Sequence, residues 1–208
     1  MLNEQMKQFK SPGPDFRGAP FWAWNAKLEP EELIRQIRLM KEMGLGGFFM
    51  HARVGLNTEY LGKEWFECVK ACIAEAEKLG MNAWLYDEDR WPSGAAGSFV
   101  TREDRFKQKE LYPELLENME QSCGEGNTLA WYAVRLDGMK MISFHRIENP
   151  SETVLPPGGK LLRCCWRYAE KSSWFNGETY LDTMNEDAVK RFVEVTHEAY
   201  RREIGGKF

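Results

Sequence analysis

The stretch Gly46-Gly47-Phe48-Phe49-Met50-His51 decides the fold. It is a short apolar run, too brief for a helix, lying between two segments with the period of amphipathic helices. On its N-terminal side Leu33, Ile37 and Met40 recur at helical spacing, with Ile34 beside them. Pro30 suits the first helical position, Glu29, Glu31 and Glu32 sit where the helix dipole favours negative charge, and Gly44 supplies a stop. On the C-terminal side a helix is expected from about Lys63 to Leu79, with Phe66, Val69, Ile73 and Ala76 on its apolar face and Gly80 ending it. Two more apolar runs complete the pattern, Pro20-Phe21-Trp22-Ala23-Trp24-Asn25 and Asn82-Ala83-Trp84-Leu85-Tyr86-Asp87. Strand, helix, strand, helix, strand with short turns predicts parallel βα units and an α/β fold. Runs apolar on both faces suit strands covered by helices on both sides.

Outward from this block the pattern changes. Residues 1–19 are polar and rich in Pro and Gly, which predicts an extended lead-in; residues 20–97 hold two βα units and a third strand. After Ser98 the rhythm breaks, and residues 103–122 are charged and expected to be helical in part. Leu129 to Leu136 and Lys140 to Ile147 flank Asp137-Gly138, a strong hairpin signal, and Leu161 to Tyr168 is another strand candidate. Residues 98–179 are therefore expected to form a partly antiparallel β insertion after strand three. The rhythm resumes in 180–208, where Asn185 is a good N-cap, Val189, Phe192, Val193, Thr196 and Tyr200 line one helical face, and Gly205-Gly206 closes the helix.

The 208 residues carry 28 Lys+Arg against 32 Asp+Glu, a formal charge of -4, and 43% are hydrophobic. That composition buries a real core and excludes a disordered chain. The mild acidity argues against a nucleic-acid partner. No apolar run has the length of a membrane span or a signal peptide, so the expectation is no membrane partner and a cytoplasmic location. Five Cys without paired spacing point to reduced thiols.

In a parallel βα protein, ligands bind at the carboxyl ends of the strands, so the residues ending each strand are the site candidates. The first strand ends in Trp22, Trp24 and Asn25: aromatic faces beside an amide suit a sugar, and the alternative is a pair of core tryptophans. The second ends in His51-Ala52-Arg53. His51 is either a hydrogen-bonding group for a polar ligand or a structural histidine fixed by a carbonyl, and Arg53 either meets ligand or pairs with a strand-end carboxylate. The three His have no metal-ligand spacing. The third ends in Asp87-Glu88-Asp89-Arg90-Trp91. Clustered carboxylates repel, one is expected to have a raised pKa, and such a group can serve as a general acid; the alternative is a solvated acidic loop. Alternation along the strand puts Asp87 and Asp89 on one side and Glu88 on the other. Asp182, before the last helix, is a ligand contact or a structural side chain.

Several of these runs resemble glycoside hydrolase family 106, the α-L-rhamnosidases and their relatives. Arg17-Gly18-Ala19-Pro20-Phe21-Trp22-Ala23-Trp24-Asn25 is similar to the opening of the barrel there, and Gly46 to Leu56, with Tyr60-Leu61 and Trp65, to its second strand and loop. Trp84-Leu85-Tyr86-Asp87-Glu88-Asp89-Arg90-Trp91-Pro92-Ser93-Gly94-Ala95-Ala96-Gly97 is the most specific match, and Tyr180-Leu181-Asp182, Asn185 and Tyr200 resemble the segment leading into the next helix. The resemblance implies a (β/α)8 TIM barrel of which this chain is a part, the first three βα units. It implies inverting hydrolysis of a glycoside or oligosaccharide by two carboxylates, and a calcium ion helping to hold the sugar. Glu88 is the residue it assigns to catalysis, with Trp22, Trp24 and Trp91 as sugar-facing surface. Asn25, His51, Arg53, Asp87, Asp89 and Asp182 are expected as further substrate contacts. No residue is assigned to calcium. A complete barrel takes about 250 residues, so the expectation is the first three-eighths of a larger enzyme. A carbohydrate-binding protein without hydrolysis, or a truncated inactive fragment, would share most of these residues.

Overall fold

The computed structural model describes residues 2–122, 124 and 126–207. The chain divides into two compact units, Met1–Phe106 with Ser172–Phe208, and Lys107–Lys171.

The first unit is built on strands β1 (Phe21–Trp24), β2 (Gly47–Ala52) and β3 (Asn82–Asp89), paired in parallel in the order β1-β2-β3. Helix α2 (Pro30–Glu42) links β1 to β2 and α3 (Lys63–Leu79) links β2 to β3. Both helices form where the sequence places them. Pro30 opens α2, and Gly80 closes α3 in the left-handed conformation at φ +59°, where a residue without Cβ is at ease. A short α1 (Leu2–Lys10) occupies the expected lead-in, since the Pro and Gly residues that disfavour helix begin only after Ser11. The helix expected after Asn185 is broken into α4 (Glu186–Val195) and α5 (His197–Ile204). At the break the Thr196 hydroxyl donates to the Phe192 carbonyl, 2.7 Å away, and bends the chain.

One face of the sheet is the core. Trp22, Trp24, Phe48 and Met50 pack with Leu33 and Ile37 of α2 and with Trp65, Phe66, Val69, Cys72 and Ala76 of α3. The other face is aromatic too, with Phe21 stacked on Phe49 and Phe49 on Trp84 at centroid distances of 5.4 and 5.7 Å. Phe21 and Trp84 remain half exposed, so strands apolar on both faces do not here mean helices on both faces.

The structure overturns the partial (β/α)8 TIM barrel. The parallel sheet stops at three strands, open at its β1 and β3 edges, and no closed barrel forms among the described residues. After β3 the alternation ends: the chain passes through turns and one 3-10 turn, Asp104–Phe106, into strands that pair antiparallel in a separate sheet. Apolar runs between amphipathic helices specify which neighbours pair. They do not specify closure, which needs strand number, tilt and stagger to agree around a whole ring.

The second unit is that four-stranded sheet, in the order β4-β7-β5-β6, from β4 (Lys109–Leu116), β5 (Asn127–Asp137), β6 (Lys140–Ile147) and β7 (Gly159–Tyr168). Asp137-Gly138 makes the β5–β6 hairpin, with Gly138 at φ +57°. Strand β4 replaces the helix expected within 103–122. It tolerates Pro113, which has no N–H to donate, because it lies at the sheet edge. Its inward Glu114 is buried against Arg163 of β7 at 2.9 Å, and Arg163 also donates to Thr128 and the Gly126 carbonyl.

Gly47 begins β2 where its backbone lies against Asn82, and a Cβ there would be driven into the Asn82 carbonyl oxygen. Gly47→Ala is expected to lower stability by about 1–3 kcal/mol. Urea unfolding followed by tryptophan fluorescence checks it; an unchanged midpoint would show that the β2–β3 spacing is not tight.

Candidate functional site at the ends of the parallel strands

Beyond β3 the backbone turns sharply. Arg90, Gly94, Ala96, Gly97 and Ser98 all have positive φ, and three of these carry a Cβ. The contortion points successive amide N–H groups inward, and the Glu88 carboxylate fills the space they surround. Oε1 accepts from the N–H of Asp89 at 2.9 Å and of Gly97 at 2.5 Å; Oε2 accepts from Gly94 at 2.9 Å and Ala96 at 2.7 Å. A carboxylate offers about four acceptor positions, so its capacity is spent on the loop. Glu88 is 1% exposed. Burial pushes its carboxyl above the ordinary range and the four N–H groups oppose that rise. A proton on either oxygen would have to displace one of these donors, so the geometry suits the anion. The residue expected to be catalytic is thus placed as the centre of its own loop.

The other two acids lie beside an irregularity in the β2–β3 pairing. Between Met50 and Ala52 of β2 the chain advances two residues, while the paired β3 advances four, from Leu85 to Asp89. Each acid has its own partners. Asp87 accepts from the Ser93 hydroxyl at 2.7 Å and lies 3.7 Å from His197 Nε2. Asp89 accepts from Asn176 Nδ2 at 3.1 Å, and burial raises its carboxyl above the ordinary value.

The remaining candidates separate into three groups. Trp22 and Trp24 belong to the core: Trp22 donates to Gln36 at 2.9 Å and meets Trp24 edge-on, and Trp24, 2% exposed, meets Trp65. Neither presents a face to a sugar. His51 and Asp182 organise backbone. His51 Nε2 donates to the Arg90 carbonyl at 2.7 Å, and burial lowers its pKa, which keeps the ring neutral. Asp182 accepts from the Met184 N–H on the approach to α4. Asn25, Arg53 and Trp91 stay accessible, with Asn25 exposed at the end of β1.

Arg53 and Trp91 share a cleft of about 320 Å³ with Val54, Arg90, Ser173 and Trp174. Trp91 stacks nearly parallel on Tyr86 with half its surface open, and Trp174 is 60% exposed. Arg90 Nη1 donates to the Ser173 carbonyl at 3.0 Å, tying the loop to the short turn Ser173–Phe175 that carries Trp174. The turn is capped by Ser172, whose hydroxyl accepts from the Trp174 N–H. Trp174 and Ser173 were not anticipated: a lone tryptophan in a polar segment has no periodicity to mark it. Among the described residues no group of three or more His, Cys, Asp or Glu is placed to hold a metal.

No family model and no curated protein matches the chain. Among solved structures, a rhamnosidase from Novosphingobium sp. PP1Y matches with a TM-score of 0.44 and 19% identity over 62% of this chain. The chain spans 14% of the length of that protein. A likeness this distant assigns neither family nor activity. No helix among the described residues is long and apolar enough to cross a membrane.

Glu88→Gln would turn an amide NH2 toward two of the four N–H donors, leaving them without an acceptor. It is expected to destabilise by about 3 kcal/mol, since hydrogen bonds to a buried charge are costly to break. Asp89→Asn is expected to behave oppositely. Because burial raises the Asp89 pKa, the folded state binds more protons than the unfolded one, and stability from this group falls as pH rises from about 4 through the folded value. Asp89→Asn, which can still accept from Asn176, should flatten that fall and match or exceed the parent at pH 7. Urea midpoints at pH 4.5 and 7 test both; a Glu88→Gln variant as stable as the parent would refute the loop-centre role.

Proposed function

We propose that the chain recognises a carbohydrate at the Arg53–Trp91–Trp174 cleft and is a sugar-binding part of a glycoside hydrolase. The observation that carries this is the cleft itself: two accessible indoles flanked by two guanidiniums, at the carboxyl ends of parallel strands. Sugar C–H faces stack on indole and hydroxyls accept from guanidinium donors, and ligand sites favour this end of parallel sheets. The motif resemblance around Trp84–Gly97 supports the hydrolase context. Within the acidic cluster, Asp89 has the character of a proton donor: burial holds its carboxyl toward the protonated form, as protonation of a leaving glycosidic oxygen requires. Glu88 acts indirectly, by fixing the loop that carries Arg90 and Trp91.

A second reading, binding without hydrolysis, is favoured by one observation. The most buried acid of the cluster has no acceptor position left for a substrate or a water.

The test has two parts. Trp174→Ala and Trp91→Ala are expected to weaken binding of mono- and oligosaccharides at least tenfold, measured by chemical-shift titration, with thermal stability little changed. In a protein that cleaves an aryl glycoside, Asp89→Asn is expected to lower kcat by about 10²–10⁴-fold. Unaltered cleavage in Asp89→Asn would remove that residue from the chemistry. Sugar binding that ignores both tryptophan substitutions would remove the cleft from the function.

A further inference from the structure

The cleft has a charge imbalance. It is lined by Arg53, Val54, Arg90, Trp91, Ser173 and Trp174, and none of these is a carboxylate. Neither Arg53 nor Arg90 makes an ion pair among the described residues, although Arg90 lies near enough to Asp89 to favour its charged form; Arg35, Arg38, Arg163 and Arg201 each meet a glutamate. Two guanidiniums bordering one apolar-walled cleft repel each other, and the walls weaken the screening that water provides.

Arg90 is also held in a conformation it would not choose. Its φ of +83° is in the region where a side chain is strained. Three contacts impose it: its N–H donates to the Ala52 carbonyl at 3.1 Å, its carbonyl accepts from His51, and its Nη1 donates to the Ser173 carbonyl. The Nη1 bond is the one side-chain hydrogen bond Arg90 makes among the described residues. Nε is buried with no hydrogen-bond partner. Nε is closed off from solvent, so an anion in the cleft meets this guanidinium at its exposed Nη end.

We propose that the cleft selects an acidic sugar, a uronic acid residue whose carboxylate is clamped by Arg90 and Arg53 while its ring lies against Trp91 or Trp174. A carboxylate is planar with two oxygens, the shape that the fork of an arginine matches in two parallel hydrogen bonds. This inference rests on the carbohydrate reading of the same cleft and adds its charge.

The experiment is a titration of the protein with methyl β-D-glucuronide, methyl β-D-glucoside and sodium acetate, following the indole N–H resonances of Trp91 and Trp174 by NMR. The expected result is binding of the glucuronide at least tenfold tighter than of the glucoside, weakened by raising NaCl from 50 to 500 mM. Arg90→Ala and, independently, Arg53→Gln should remove the preference, so that glucuronide binds each variant no more tightly than glucoside binds the same variant. Arg53→Gln keeps the test decisive if Arg90→Ala perturbs the loop. Equal affinity for glucuronide and glucoside would overturn the clamp and leave the carbohydrate reading standing. Acetate binding as tightly as the glucuronide, with no response to the glucoside, would overturn both, as would no response to any of the three.

Discussion

A single buried carboxylate holds the strand-end region together. Glu88 collects four backbone N–H groups from a loop whose residues adopt left-handed conformations that most side chains avoid. Such a backbone has no regular partner for its amides, and buried amides without acceptors would make it untenable. The carboxylate supplies the acceptors, and the amides supply the solvation that a buried charge needs. Neither half is stable without the other. The positions of Arg90, Trp91 and Ser93 follow from this exchange, because all three lie on the backbone it fixes. Tyr180 tightens the same loop: its hydroxyl donates to the Ser93 carbonyl, and its ring lies so close to Gly94 that a Cβ there would collide with it.

The sheet beneath is asymmetric in a way that bears on the site. Its aromatic residues divide by alternation into two sets with different duties. Trp22 and Trp24 point to the helices and are consumed by the core, where edge-to-face contacts with Phe48 and Trp65 add to burial. Phe21, Phe49 and Trp84 point the other way. Open indole surface at this end is therefore found beyond the strands, on Trp91 and Trp174.

Much of the first unit was legible in the sequence, and the reasons are specific. Phe48 to His51 is short and apolar, the flanking helices carry clean periodicity, and Pro30, Gly44 and Gly80 punctuate them where backbone sterics require. Barrel closure was not legible, because three strands contain no information about the stagger of a ring. Strand β4 was hidden because its inward positions include Glu110 and Glu114, acids that read as a charged helix until Arg163, about fifty residues later, neutralises one of them. In the site, the acidic run at 87–89 stood out from sequence alone. Its wiring did not, because the acceptor role of Glu88 depends on the dihedral angles of residues not adjacent to it.

His51 shows how the fixed backbone passes into the cleft. With a carbonyl accepting from Nε2 and burial lowering its pKa, the ring is a neutral strut between β2 and Arg90. Arg90 in turn joins three segments: β2 through Ala52 and His51, the loop after β3 that it begins, and the Ser173 turn that presents Trp174. At Arg90 a ligand in this cleft meets a side chain already anchored to the Ser173 carbonyl, so little ordering entropy is left to lose at that residue. Discrimination must then come from which groups face the cleft, two guanidiniums and two indoles without a carboxylate, rather than from a loop closing over it.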